Sequence, residues 1–224
     1  MDGRSWIPGF RDLPLELGAV AGPIVLTAAW LFLGAVSPGY TLWGVRVAPY
    51  SPVSQPISGL GLGSTGPYMN AAFVLSGLLM VAGAFGVCQR IPRMRGRRWS
   101  VALLALPGIG SAVDGLFTFQ SFFLHFIGFG LALSTILTFP LVGRWLRGTP
   151  GWQRFGTALI AAGPLTLVLT VVYFATFTPT IAGIQTGVAG MTERALVLEI
   201  QAWYVVLGAS TYLRSRAGFE LAFD

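Results

Sequence analysis

The chain has no lysine, one histidine and one cysteine, and only 10% of its 224 residues are charged. A single cysteine, Cys88, excludes an internal disulfide and any metal site built from several cysteines. A single histidine, His125, excludes the three-histidine zinc site that an intramembrane hydrolase would need. The sequence also has no paired aspartates that could hold magnesium and a diphosphate. We therefore predict a protein that uses neither a metal nor another cofactor.

Apolar residues dominate what is present. They make up 54% of the chain, and the mean hydropathy of +0.71 lies outside the range of soluble domains. They form six stretches of about 20 residues, the length with which a helix crosses about 30 Å of hydrocarbon. The predicted spans are residues 15–36, 69–88, 99–119, 122–142, 155–175 and 194–213. The pattern predicts an all-α fold, an integral-membrane six-helix bundle that forms one domain over residues 1–224.

The basic residues, which are all arginine, predict the orientation of this bundle. Twelve of the 14 lie in the two termini and in the second and fourth connections, and only Arg46 and Arg194 lie in the other connections. Because arginine is concentrated on the cytoplasmic side of membrane proteins, both termini are predicted to be cytoplasmic, in a multi-pass protein of the cell membrane. The net charge of +6 is then explained by helix ends that face anionic lipid, and nucleic acid is excluded as a partner.

The longest connection, residues 37–68, is predicted to lie on the outer side. It contains five prolines and a run of alternating glycines at positions 59, 61 and 63. A phosphate-binding loop is excluded, because the segment has no lysine and lacks the required glycine spacing. A loop of this length is either a lid that folds back over the bundle or a plain surface loop.

The third and fourth spans are predicted to form a tight antiparallel hairpin, because only a few residues near 119–122 connect them. Small residues four positions apart, Gly128 with Ala132 and Gly130 with Ser134, predict a face of the fourth span that packs closely against a neighbour.

Few ionisable residues lie within the spans, and each is a candidate functional residue because a charge is costly in hydrocarbon. Asp114 and Glu199 are the strongest candidates. His125 could bond a backbone carbonyl or pair with Asp114 across the hairpin. Glu193 and Arg194 are typical of interfacial residues that form an ion pair within or between helices.

Aromatic residues accompany these candidates. Phe117, Phe122 and Phe126 lie near Asp114 and His125 in the sequence. Trp203 and Tyr204 follow Glu199. One interpretation is a lipid-facing aromatic belt. The other is a dry pocket in which a protonated acid donates to an alkene or epoxide, while aromatic faces stabilise the resulting carbocation.

The second interpretation predicts a membrane-embedded, cofactor-independent cyclase or isomerase that acts on a prenylated, lipophilic substrate. Asp114 would be the general acid, Glu199 a second acid or cation stabiliser, and His125 an orienting partner. The residues predicted to bind the substrate are Phe117, Phe122, Phe126, Trp203, Tyr204 and Gln55.

Two other classes of function stay open. The chain could be a non-catalytic membrane protein that binds lipid or assists another membrane protein, with its acids as structural contacts. A small transporter is disfavoured, because the sequence shows no inverted repeat. A Ser-His-Asp arrangement could be built from Ser111 or Ser121 with His125 and Asp114, but no nucleophile-elbow sequence surrounds either serine.

The first loop carries a family resemblance. The segments that carry it are Tyr-Ser-Pro at 50–52, Pro-Ile-Ser-Gly-Leu-Gly at 56–61, Met-Asn-Ala-Ala-Phe at 69–73, Gly-Leu-Phe at 115–117, His125, and Met-Thr-Glu-Arg-Ala at 191–195. The chain resembles the bacterial membrane family catalogued as domain of unknown function 998. This resemblance implies a six-helix membrane fold and no established activity. By this resemblance, Gly59 stands where family members often have an acidic residue, and Gln120 stands near a position where they carry an aspartate. Asp114 is therefore the residue that could have taken over an acidic role. By size and residue types the chain is also similar to small membrane-bound terpene cyclases.

Overall fold

The computed structural model describes residues 13–92, 94–177 and 186–220, with side chains as far as residue 217. Six helical segments of these residues are long and apolar enough to cross a membrane: Leu15–Val36, Gly63–Arg90, Arg97–Leu116, Phe122–Arg147, Gln153–Thr176 and Ala189–Ala217. The predicted all-α, six-helix membrane fold is therefore confirmed. The cytoplasmic location of both termini stays a prediction.

Seven α-helices build these six spans in the described residues. They are α1 Gly18–Val36, α2 Gly66–Arg90, α3 Arg97–Leu116, α4 Phe122–Ala132, α5 Thr135–Arg147, α6 Gln153–Thr176 and α7 Ala189–Glu220. The fourth span, predicted as one continuous run, is divided into α4 and α5. At the junction, Ser134 N–H bonds the carbonyl three residues back, that of Leu131, at 3.2 Å. The helix thus tightens into a 3₁₀ turn between α4 and α5.

Small residues let neighbouring helices approach closely. Helix α2 packs along both α1 and α3, and α5 packs along α6. A Cβ atom added at Gly77 of α2 would overlap the carbonyl oxygen of Gly108 on α3. In a bilayer the hydrophobic effect does not drive helices together, because lipid tails are as apolar as the side chains. Close backbone-to-backbone packing of this kind drives their association instead.

The first connection forms a lid, which we define as residues 37–65. It contains a β-hairpin, with β1 at Tyr40–Leu42 and β2 at Val45–Val47, followed by 3₁₀ turns at Ile57–Gly61 and Gly63–Thr65. Several of its apolar side chains point into the protein, and Tyr40, Leu42, Val47 and Leu60 are fully buried. They form a second apolar core with residues of α1 and α2. Of the two interpretations of this loop, the structure supports the lid.

Arg194 fastens the lid to α7. Its Nη1 donates to the carbonyl oxygens of Pro52, Gln55 and Gly190 at 2.8, 3.0 and 2.8 Å. Its Nη2 donates to the hydroxyl of Tyr50 at 2.5 Å. Burial raises the pKa of Tyr50 to about 12 despite the nearby guanidinium, so this partner is a neutral phenol. Arg194 is therefore a cation whose partners in the lid are neutral oxygen atoms.

Candidate functional site

The hairpin of α3 and α4 brings Asp114 and His125 together, as the sequence predicted. Asp114 lies near the end of α3 and His125 is in the first turn of α4. The distance from His125 Nδ1 to Asp114 Oδ1 is 3.4 Å, and both residues are buried. His125 Nδ1 also lies 2.9 Å from the carbonyl oxygen of Phe117. Both partners considered for the histidine, a backbone carbonyl and Asp114, are therefore present.

The second ring nitrogen of His125 contacts a serine of the lid. The distance from His125 Nε2 to Ser58 Oγ is 2.8 Å. Because the carbonyl of Phe117 can only accept, we assign the imidazole proton to Nδ1, which leaves Nε2 of the neutral ring as an acceptor. The Ser58 hydroxyl then donates to Nε2. A hydroxyl that donates to an oriented base is the signature of an activated nucleophile.

The local sequence explains how Ser58 reaches this position. Pro56 is extended and starts the 3₁₀ turn Ile57–Gly61, and the N–H of Ile57 donates to Glu193 Oε2 at 2.5 Å. A Cβ atom at Gly59 would lie 2.5 Å from Cε1 of Tyr40. The ring of Tyr40 thus occupies the space that a larger residue at position 59 would need.

A cavity of about 70 Å³ lies beneath the lid, between α2, α3, α4 and α7. Its polar lining comes from Asp114, Glu193, Ser58 and Ser111, with one amide from α7, and the rest of its wall is apolar. Glu193 is only 3% exposed and Arg194 is also buried, and both lie in the first two turns of α7. Their location at the membrane interface stays a prediction. No ion pair joins them in the described part of the chain, since the Glu193 carboxylate bonds the lid backbone and the guanidinium bonds lid carbonyls.

A second cavity, of about 160 Å³, begins where the first one ends. Ser58, Glu193 and Phe129 line both cavities. The second cavity also has His125 in its wall, with Phe122 and Phe126 further out. Ser58 is half-buried and lies at the junction, so a molecule in either cavity can reach its hydroxyl.

The two glycines predicted to form a packing face of the fourth span differ in their surroundings. A Cβ atom at Gly128 would overlap the carboxyl group of Asp114 and lie 2.9 Å from the carbonyl oxygen of Gly110. A Cβ atom at Gly130 would have open space around it. Gly128 is thus the position where absence of a side chain makes room for Asp114, and Gly130 plays no such part.

The other residues predicted for the site lie elsewhere, and none of them lines either cavity. Glu199 accepts hydrogen bonds from Thr166 Oγ1 at 2.9 Å and Trp203 Nε1 at 2.8 Å. Tyr204 is buried in the bundle, where its hydroxyl donates to the carbonyl of Leu104. Both residues therefore have structural partners away from Ser58.

Two further predicted residues support the site from outside. Gln55 is fully buried in the lid and accepts a hydrogen bond from the Tyr40 hydroxyl at 2.6 Å. Phe117 contributes its carbonyl oxygen to His125, while its side chain is 38% exposed. Of the nine residues predicted for the site, the structure brings together Asp114, His125, Phe122 and Phe126.

Sequence reasoning missed Ser58 and undervalued Glu193. The serines it weighed have other roles: Ser111 donates to the carbonyl of Phe73 at 2.9 Å, and Ser121 is exposed. Ser58 lies 67 positions from His125, so no local spacing relates them. The usable signal was the Pro-Ile-Ser-Gly segment itself, in which Ser58 follows a proline and a β-branched residue that restrict the backbone.

Comparison of the chain with curated proteins and with solved structures returned no match. A family model does match, over residues 19–210, which include the lid and every residue of the site just described. Its description is "Protein of unknown function (DUF998)". Since the match covers most of the chain, this membrane protein belongs to the DUF998 family.

Proposed function

We propose that this protein is a membrane-embedded acyl-transfer enzyme, a hydrolase or acyltransferase, in which Ser58 attacks the ester carbonyl of a lipophilic substrate. The observation that carries the proposal is the 2.8 Å contact between Ser58 Oγ and His125 Nε2, made while His125 Nδ1 is bound to the Phe117 carbonyl. The nucleophile, the base and the group that orients the base are all present.

The chemistry follows the two steps of serine acyl transfer. Ser58 Oγ bonds to the carbonyl carbon as its proton moves to His125 Nε2. The ester bond then breaks, the alcohol leaves with the proton from Nε2, and the acyl group stays on Ser58. Water or a second alcohol attacks the acyl group, with His125 again taking the proton and returning it to Ser58. Each cycle leaves Ser58 and His125 as they began.

Asp114 is placed to assist rather than to hold the histidine. A separation of 3.4 Å from His125 Nδ1 is longer than the usual 2.7–3.2 Å of an N–H···O hydrogen bond. The Phe117 carbonyl at 2.9 Å is the closer partner. A carboxylate beside the ring would still stabilise the imidazolium that forms when His125 accepts the proton.

A fluorophosphonate probe tests the proposal without knowledge of the substrate. Such a probe reacts with an activated serine, whose oxygen displaces fluoride from phosphorus. We expect purified protein in detergent to gain one probe adduct, located at Ser58 by peptide mass spectrometry, and Ser58→Ala to gain none. The matched control is Ser121→Ala, which removes an exposed serine one helical turn from His125 and should label like the wild type.

Size-exclusion elution of each variant shows whether it is folded. A folded wild-type protein that never labels at Ser58 would overturn the proposal. Labelling that persists in Ser58→Ala would do the same. In that case a non-catalytic protein that binds lipid or assists a membrane partner becomes the better hypothesis.

A second candidate is the protonation-initiated cyclase or isomerase, and one observation favours it. Asp114 and Glu193 both line the apolar cavity, and Asp114 Oδ1 is buried with no hydrogen-bond partner among the described residues. Here Asp114 would donate the proton, and Glu193, rather than the distant Glu199, would be the second acid. Cavities of about 70 and 160 Å³ are smaller than the roughly 300–1,000 Å³ of typical ligand pockets, so a folded prenyl chain would require them to widen.

Asp114→Asn distinguishes the two candidates. Under the cyclase hypothesis, membranes that contain the wild-type chain should convert a prenylated compound into an isomer of unchanged mass. Asp114→Asn should abolish that product. Ser58→Ala should still form it, because this hypothesis does not need the Ser58 hydroxyl. Chromatography with mass spectrometry measures the product. A product that depends on Ser58 instead would contradict the cyclase hypothesis.

A further inference from the structure

From the second cavity we infer that the substrate is a membrane lipid ester whose acyl chain reaches Ser58 sideways, between α4 and α6, rather than from water through the lid. This inference rests on the proposed function and specifies its substrate class and its route of entry.

The lid covers the site on the side where the helices end. The rings of Trp43 and Phe119 are 5.9 Å apart, and Trp43 Nε1 donates to the carbonyl of Gln120 at 3.2 Å. The side chain of Gln120 in turn donates to the carbonyl of Thr41 at 3.1 Å. The β-hairpin is thereby bonded to the connection between α3 and α4, in which the ring of Phe119 lies 5.5 Å from the ring of His125. A polar substrate that approached along the bundle axis would have to break these contacts.

The second cavity leads instead toward the surface between α4 and α6. Its outer wall is formed by Phe122 and Phe126 of α4 and by Phe174 of α6, which are 51%, 50% and 43% exposed. Phe129 and Tyr173, whose ring centroids are 5.7 Å apart, bridge the two helices further in. We call Phe122, Phe126 and Phe174 the phenylalanine mouth. It lies on segments long and apolar enough to span the membrane, so lipid chains are its expected surroundings.

The depth of the site fits the ester group of a lipid. His125 is in the first turn of α4, about 5 Å along the helix axis from its first residue. Ser58, in the lid, contacts this turn through its 2.8 Å bond to His125 Nε2. In a bilayer, lipid ester groups lie at the boundary between hydrocarbon and headgroups, which is the level at which a span of this length ends. An acyl chain in the phenylalanine mouth would therefore place its ester carbonyl near Ser58.

The chemistry of the mouth selects a hydrocarbon chain. The wall that leads from the surface to His125 is aromatic, and the one carboxyl group of the second cavity, that of Glu193, also lines the first cavity with Ser58. The phenylalanine rings bury an apolar chain without offering it polar partners, and polar side chains, among them Tyr173, are met further in. A short, water-soluble ester would gain no binding free energy from contacts with the phenylalanine mouth.

The test compares two fluorophosphonates, one with a hexadecyl chain and one with only ethyl groups, on protein in lipid nanodiscs. We expect the long-chain probe to label Ser58 at least about tenfold faster, because each methylene that a pocket accepts contributes about tenfold or more to discrimination. Phe126→Trp should slow the long-chain probe by about tenfold more than it slows the short one. The matched control is Phe123→Trp, since Phe123 is on the same helix, 74% exposed, and lines neither cavity.

The outcomes separate the two proposals. Equal rates for the two probes, or Phe126→Trp rates that match those of Phe123→Trp, would overturn lateral entry while the labelling of Ser58 still supports acyl transfer. Failure of both probes to label Ser58 would overturn the proposed function and this inference with it. If Phe126→Trp fails to fold by size-exclusion elution, Phe174→Trp on the opposite wall makes the same test.

Discussion

Replacement of His125 by glutamine is expected to slow fluorophosphonate labelling of Ser58 by about 10²- to 10⁴-fold, the usual contribution of a general base. Glutamine can still donate to the Phe117 carbonyl, so the end of α3 keeps a hydrogen-bond partner. It cannot take the proton that Ser58 must lose as its oxygen attacks phosphorus. The loss is therefore one of reactivity, in a protein whose helix hairpin is retained.

The measurement is the rate of adduct formation by intact-protein mass spectrometry, at several pH values. In the wild type, the rate should follow the ionisation of a base, whereas His125→Gln should lose that inflection. Ser121→Ala, four positions before His125 and just ahead of α4, should keep both the rate and the profile. A His125→Gln protein that labels at the wild-type rate would rule out the histidine as the base.

The same experiment assigns the role of Asp114. Because the Phe117 carbonyl already orients the ring, Asp114→Asn should slow labelling less than His125→Gln does. An equal loss in the two variants would mean that the carboxylate, rather than the backbone carbonyl, orients His125. That result would describe a full Ser-His-Asp triad assembled from the lid, α4 and α3.

Replacement of Arg194 by methionine is expected to have the largest effect on stability, a loss of about 2–6 kcal/mol. The carbonyl oxygens of Pro52 and Gln55 would each lose a charged donor, and a buried group left without a partner costs about 1–3 kcal/mol. The Tyr50 hydroxyl would lose Arg194 as a donor and keep its own bond to the carbonyl oxygen of Pro56 at 3.2 Å. Since these groups belong to the lid, the lid should detach from α7 before the bundle unfolds.

Trypsin reports this opening directly. The chain has no lysine, and Arg46 on the exposed side of the β-hairpin is the single tryptic site of the lid. Arg194→Met should be cut after Arg46 much faster than the wild type, and its thermal unfolding in detergent should begin at a lower temperature. Arg194→Lys should recover part of the loss, because one ammonium group cannot match the several donors of a guanidinium.

Arg214→Met is the matched control, at the other end of the same helix. Arg214 donates to the carbonyl of Gly151 and its guanidinium lies 4.4 Å from the ring centroid of Trp152, at an exposed position remote from the lid. This variant should leave cleavage after Arg46 unchanged. Equal cleavage of the Arg194→Met protein and the wild type would show that the Arg194 contacts are not what holds the lid on the bundle.

Much of the fold followed from the sequence because hydrophobic length is a local property. A run of about 20 apolar residues must be helical in hydrocarbon, where no water satisfies the backbone. The short link between α3 and α4 also sufficed to predict that Asp114 and His125 meet. The break between α4 and α5 was missed, since the apolar run continues through it and a 3₁₀ turn leaves no gap in hydropathy.

The site itself depended on which way side chains face. Glu193 and Glu199 are six positions apart on α7, which places them about 120° apart around the helix axis. One faces Ser58 and the cavity, and the other bonds Thr166 and Trp203 on another side. In a helix that is apolar nearly all round, the sequence has no amphipathic pattern to say which face points inward.

The sequence by itself determined that this protein is a six-helix membrane bundle with few candidate residues for chemistry. The length of each apolar run and the positions of the charged residues can be read directly along the chain. Only the tertiary structure decided which of those residues form a site. Ser58 and His125 are separated by 67 positions, and Ile57 and Glu193 by 136. Contacts at such separations form when the lid folds onto the bundle and the helices pack against one another. Both events depend on packing in three dimensions.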